Sequence, residues 1–168
     1  MGSKYRNLDA IGQINDMACW AASLTWWYQA AMSIFPSQQK LWDHYQHLRE
    51  PLGGMPDSGV KQIIRENAMM LIEYPKSSDM GIDELKWMLS YGPVYLAYME
   101  SGTGKRHVNV IYEAKGNAEY AEVRAMEPQA HSKGNGGWKG AHKKKPINDF
   151  NLIGSIWAGV SKKKYNAG

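Results

Sequence analysis

The chain has one cysteine, seven prolines, two phenylalanines and no long apolar run. A single thiol in 168 residues excludes an intramolecular disulfide, so folding needs no oxidising compartment. No segment reaches the roughly 20 continuous apolar residues that cross a bilayer, so no membrane association is expected. The opening "MGSKYRNLDAIGQ" lacks the apolar stretch of a signal peptide. The expectation is therefore a domain cut from a longer protein whose other parts handle targeting. Neither an internal repeat nor a low-complexity linker divides the sequence, and 1–168 reads as one domain. At 43% hydrophobic and 21% charged residues the composition is that of a globular chain able to bury one substantial core.

Net charge is +4, much of it from Lys143-Lys144-Lys145 and Lys162-Lys163-Lys164. Neither run is interleaved with aromatics as in a groove for single-stranded nucleic acid. Both read as solvated loop and tail lysines, and nucleic acid is not an expected partner.

The first half reads helical. From Cys19, the residues Trp20, Leu24, Trp27, Ala31 and Ile34 recur at three and four, the apolar stripe of a helix. Pro36-Ser37 ends it and caps a second helix in which Leu41, Tyr45 and Leu48 share a face. "PLGGMPDSG" reads as a loop, "VKQIIRENAM" as a short helix and "MLIEY" as a short strand. "IDELKWMLSYG" is an amphipathic helix stopped by Gly92-Pro93.

The period then changes. "PVYLAYM" and the alternating "HVNVIYEA" are strands, with His107, Asn109 and Ile111 on one side of the second. "GNAEY" turns the chain into the strand "AEVRAMEP"; a loop rich in Gly and Lys follows, and "FNLIGSIWAGV" is a last strand. Helices first and a strand meander afterwards indicate α+β, with the helices on one side of an antiparallel sheet. Trp20, Trp27 and Trp87 fall on core faces. Trp138, among four glycines in "GNGGWKG", is a candidate for a substrate contact beside a cleft.

A lone cysteine is most often a small core hydrophobe. Here it stands at the start of a Trp-rich helix, six positions after Gln13. At a first turn, free backbone N–H groups and the helix dipole favour a thiolate. Such a nucleophile needs an imidazole to share its proton, and acyl transfer needs donors for an oxyanion. His107, opening a strand 88 residues later, supplies the first; the Cys19 N–H and Gln13 carboxamide supply the second. His44 and His47 lie at i and i+3 of one helix, but no further ligand pattern accompanies them, so no metal or cofactor is expected. His131 and His142 read as solvent-facing in the Gly/Lys loop.

"QINDMACWAAS" resembles the active-site segment of papain-like cysteine peptidases, in which a Gln precedes by six a Cys that opens the central helix. "IDELKWMLSYGPVYLAY", "RHVNVIYEA" and "AEVRAMEP" resemble the bacterial branch holding the C39-like bacteriocin-processing peptidases and the C70-type secreted effectors. The resemblance implies a papain-like fold, with Cys19 as nucleophile, His107 as general base and acid, and Gln13 as oxyanion donor. Glu127 takes the orienting place, where the family pattern has Asp-Pro or an Asn; Asp149 and Asn148 are the reserves. It further implies a thiol endopeptidase acting as a secreted toxin or effector, delivered by a dedicated secretion system into a target cell's cytoplasm. Its partners would be a protein substrate and a cognate immunity protein. Two alternatives stay open: a peptidoglycan amidase of the NlpC/P60 type, and a non-catalytic peptide-binding relative.

Overall fold

The structure, a computed structural model, describes residues 2–162; Lys163 and Lys164 of the second lysine run lie outside them. A short helix α1 (Gly2–Arg6) leads to the central helix α2 (Cys19–Met32), whose "CWAASLTWWYQAAM" is apolar on nearly every side. Such a helix must be covered all round, and Trp20, Leu24, Trp26 and Trp27 are all buried. Three hydrogen bonds tie it to the sheet side. Ser23 Oγ donates to the Val108 carbonyl at 3.1 Å, Trp27 Nε1 to the Pro93 carbonyl at 3.0 Å, and Tyr95 OH to the Trp20 carbonyl at 3.0 Å. The helix stops two residues before Ile34. Ser33 turns left-handed at φ 54°, and its N–H bonds back to the Gln29 carbonyl.

Ser37 caps α3 (Gln38–His44), its side chain accepting from the Lys40 N–H, and a 3₁₀ turn Gln46–Leu48 follows. Helix α4 (Asp57–Glu66) begins inside the stretch read as loop: Asp57 at the first turn complements the helix dipole. Helix α5 (Ile82–Leu89) starts where the Glu84 carboxylate accepts from the Gly81 N–H at 2.9 Å. Trp87 is 49% exposed, so it is not a core residue. On this short helix Ile82, Leu85 and Met88 take the buried face.

The strands β1 (Met69–Tyr74), β2 (Val94–Met99), β3 (Arg106–Gly116), β4 (Ala121–Ser132), β5 (Trp138–Pro146) and β6 (Ile156–Ser161) form one antiparallel sheet ordered β1-β6-β2-β3-β4-β5. Strand β5 stands where a loop was expected. "WKGAHKKKP" carries little apolar signal, because an edge strand needs only half a covering and lysines keep other chains off its free edge. Phe150 does not begin the last strand; it is buried in a one-turn helix α6 (Asn148–Asn151).

The sheet is covered on both faces, not one. Helices α2 and α4 pack with Val108, Val110 and Tyr112 in one cluster; Leu85 and Met88 of α5 and Phe150 of α6 pack with Ile111, Val123 and Ala125 in the other. This double covering is why Val94–Tyr98 and His107–Tyr112 are buried without interruption. The pairing of β4 with β5 is broken between Glu127 and His131. Into that break the N-terminal segment inserts its backbone: the Gln13 N–H donates to the Pro128 carbonyl at 3.1 Å, and the Trp138 N–H to the Gln13 carbonyl at 2.9 Å.

Candidate active site

Cys19 is the first residue of α2. Ala18, ahead of it, offers no side-chain cap, and the first turn holds no acidic residue, so nothing anionic competes for the dipole there. The Cys19 side chain hydrogen-bonds His107, which begins the buried run of β3. His107 Nε2 is 2.6 Å from Glu127 Oε2, with both residues more than nine-tenths buried. Since Nε2 is taken by the carboxylate, Nδ1 is left for the thiol. The Tyr98 ring packs roughly perpendicular to the imidazole, centroid to centroid 5.8 Å.

Burial by itself would lower the basicity of His107. The hydrogen bonds to Cys19 and Glu127, and the negative charge available at both, outweigh it and bring the imidazole up to about 10 from an ordinary 6.5. Burial likewise opposes ionisation of Glu127, but His107 and Lys145 overcome it and hold the carboxyl well below the usual carboxylate range. The stabilisation from His107 is full below about pH 6.5 and disappears as pH rises through about 10. That from Glu127 is full above about pH 4.5 and is lost as pH falls. The Tm difference between wild type and Glu127→Gln should therefore be widest between about pH 4.5 and 6.5 and shrink on either side. A difference constant across pH 3–10 would contradict the ion pair.

Gln13 is 1% exposed. Its Nε2 donates to the Asn15 carbonyl at 2.9 Å, which leaves one amide N–H free, while Oε1 is buried without a partner. Trp138 lines the cleft that holds Cys19 and His107, with Nε1 donating to Asp16 Oδ1 at 2.8 Å. The cleft encloses about 630 Å³; Met17, Trp20, Met55 and Val60 give its apolar wall and Glu100, Lys105 and Arg106 its charged one. Asp149 and Asn148 lie on α6 and neither bonds His107; the imidazole nitrogen is occupied by Glu127. His44 is exposed, and among the described residues no cluster of His, Cys, Asp and Glu is arranged to hold a metal.

Two expectations need correction. His142 is not solvent-facing: on β5 it binds the Leu8 carbonyl at 2.7 Å and the Tyr112 hydroxyl at 3.1 Å. Nor is Lys145 a solvated lysine. Its side chain is 15% exposed, and Nζ lies 2.9 Å from Glu127 Oε1 and 3.1 Å from Asn109 Oδ1. A run of three lysines gives no sign of this; only the register of β5 against β4 does. The Gln129 N–H, which donates to Glu127 Oε2 at 3.0 Å, is equally invisible in the sequence.

No helix among the described residues is long and apolar enough to cross a membrane. Comparison with curated proteins gives no match. The family model described as papain-like cysteine protease AvrRpt2, Peptidase C70, matches residues 6–150, a span that takes in the thiol, the imidazole and the carboxylate with all the strands between them. The chain belongs to this family of papain-like cysteine peptidases.

Proposed function

We propose that Cys19, His107 and Glu127 act together as a triad that hydrolyses a peptide bond in a target-cell protein. The observation that carries this reading is the buried 2.6 Å contact between His107 and Glu127, placed beside the chain's only thiol in an open cleft. The thiol proton passes to His107 and Sγ attacks the scissile carbonyl carbon. The resulting oxyanion takes hydrogen bonds from the Cys19 N–H and the free N–H of the Gln13 carboxamide. His107 then protonates the leaving amine, which departs and leaves a thioester. Water attacks that thioester as His107 removes its proton; collapse releases the acid and returns the proton to sulfur. Glu127 orients the imidazole and balances its charge throughout. The protein acts as a toxin delivered by a dedicated secretion system into the target-cell cytoplasm, and an immunity protein covering the cleft protects the producer. The reading extends to residues 1–168 as one domain.

Trp138 is the side of the cleft that grips substrate in this reading. Trp138→Ala should raise KM roughly fivefold, about 1 kcal/mol of lost aromatic contact, while kcat changes little. Steady-state kinetics on a cleaved peptide separate this from a catalytic role, in which kcat would fall instead.

An amidase of the NlpC/P60 type typically orients its catalytic histidine with a second histidine, and the residue against His107 Nε2 is a carboxylate. A peptide-binding relative would keep its effect without the thiol. Inducible expression in bacterial cytosol decides: wild type arrests growth and Cys19→Ala does not. Equal growth of the two strains would sink the toxin reading, and equal arrest would favour a binder.

A further inference from the structure

We propose that Lys145 is a positioning residue of the site, a half-buried cation that fixes the Glu127 carboxylate with Oε2 turned to His107. The proposal rests on the triad reading given above. Glu127 has one more torsion than the aspartate or asparagine of the family pattern, so a single contact to the imidazole leaves its carboxylate free to rotate. Here both oxygens are held: Oε2 by His107 Nε2 and the Gln129 N–H, Oε1 by Lys145 Nζ at 2.9 Å. The ammonium is itself fixed, because Asn109 Oδ1 accepts from it at 3.1 Å and the Phe150 ring lies 5.5 Å away.

The sheet supplies this geometry. Lys145 pairs with Val123, two positions along β4 from Ala125 and four from Glu127, on the face they share. From that register the long side chain reaches the Glu127 carboxylate. Charge completes the argument. A thiolate–imidazolium–carboxylate group, two of its members buried, carries one uncompensated negative charge, and Lys145 brings the cluster to neutrality. The other groups facing Lys145 come from β2 and its following loop (Tyr98, Glu100) and from α6 (Asp149). Glu100 and Asp149 add negative charge around the ammonium; Tyr98 is a buried phenol kept neutral, first by its burial. Removing the cation makes Glu127 easier to protonate and the Cys19–His107 ion pair harder to form at low pH.

The test is the pH dependence of Cys19 alkylation by iodoacetamide, which needs no substrate and, with one cysteine in the chain, reads one site. Lys145→Met should move the acid limb of the rate upward by about one pH unit, the low end of what an opposite charge does for the carboxylate it holds. Lys145→Arg should restore most of it, and Lys145→Met should add nothing in a Glu127→Gln background. A structural lysine would lower Tm and leave the limb in place. If Lys145→Met fails to melt cooperatively, the Glu127→Gln/Lys145→Met pair, neutral at both positions, is compared with Glu127→Gln alone; a further shift overturns the proposal. His107→Ala is run alongside. If it abolishes the low-pH reactivity while Lys145→Met leaves the limb unmoved, this proposal alone fails. If His107→Ala changes nothing, the triad fails and the proposal with it.

Discussion

Cys19→Ala is expected to lower peptide-bond cleavage by about 10⁴-fold or more, with Tm within a few degrees of wild type. The loss is the whole covalent route: without sulfur no thioester forms, and only the oxyanion donors and the substrate contacts remain. A factor of that size corresponds to about 5.5 kcal/mol of transition-state stabilisation. Stability is spared because alanine is the better helix former and Cys19 is only partly buried at the helix start. His107→Ala should cost a comparable factor. The double variant should cost no more than either single one, since the pair acts as a unit. Rates of substrate loss measured by gel or mass spectrometry, with circular dichroism as the control, check both statements. A Cys19→Ala protein retaining a tenth of wild-type turnover contradicts them.

Gly12→Ala is expected to destabilise the fold by about 3 kcal/mol or more, the largest stability effect anticipated for a single added methyl group. A Cβ at Gly12 would lie 1.7 Å from the Trp138 carbonyl oxygen, and one at Gly140 would lie 2.5 Å from the Ile11 carbonyl oxygen. Backbone meets backbone at this crossing, so no rotamer change relieves the overlap. The same crossing carries the hydrogen bonds of Gln13 to Pro128 and Trp138. Gly12→Ala should therefore also pull Trp138 away from the cleft and reduce activity in whatever fraction still folds. By contrast Gly102→Ala, where a Cβ meets nothing, should be neutral. Urea titration of the three proteins measures this, and a Gly12→Ala midpoint equal to that of Gly102→Ala contradicts the crossing.

What the sequence shows and hides follows from how each feature is encoded. The α2 stripe, the Gly92-Pro93 stop and the β2–β4 meander are written in local periodicity and turn chemistry, and they are legible. The relation of Cys19, His107 and Glu127 is legible only through the pattern of short motifs, since nothing local says that positions 19 and 107 meet. Strand β5 is hidden because six of its nine residues are polar or glycine, and α6 because one turn has no period to detect. Read as a loop, β5 makes Lys145 one of three surface lysines, and the second anchor of Glu127 stays out of sight. The covering of both sheet faces is hidden for a related reason: α5 and α6 are short, and their chain order does not tell which face they take.

The central claim is that this cleft cleaves proteins through Cys19 and His107. The most direct measurement is profiling of new protein N-termini in a target-cell lysate treated with wild type, Cys19→Ala or His107→Ala. The account predicts a small, discrete set of new N-termini with wild type that is absent from both variants. The same termini produced by Cys19→Ala, or none produced by a folded wild type, would contradict it.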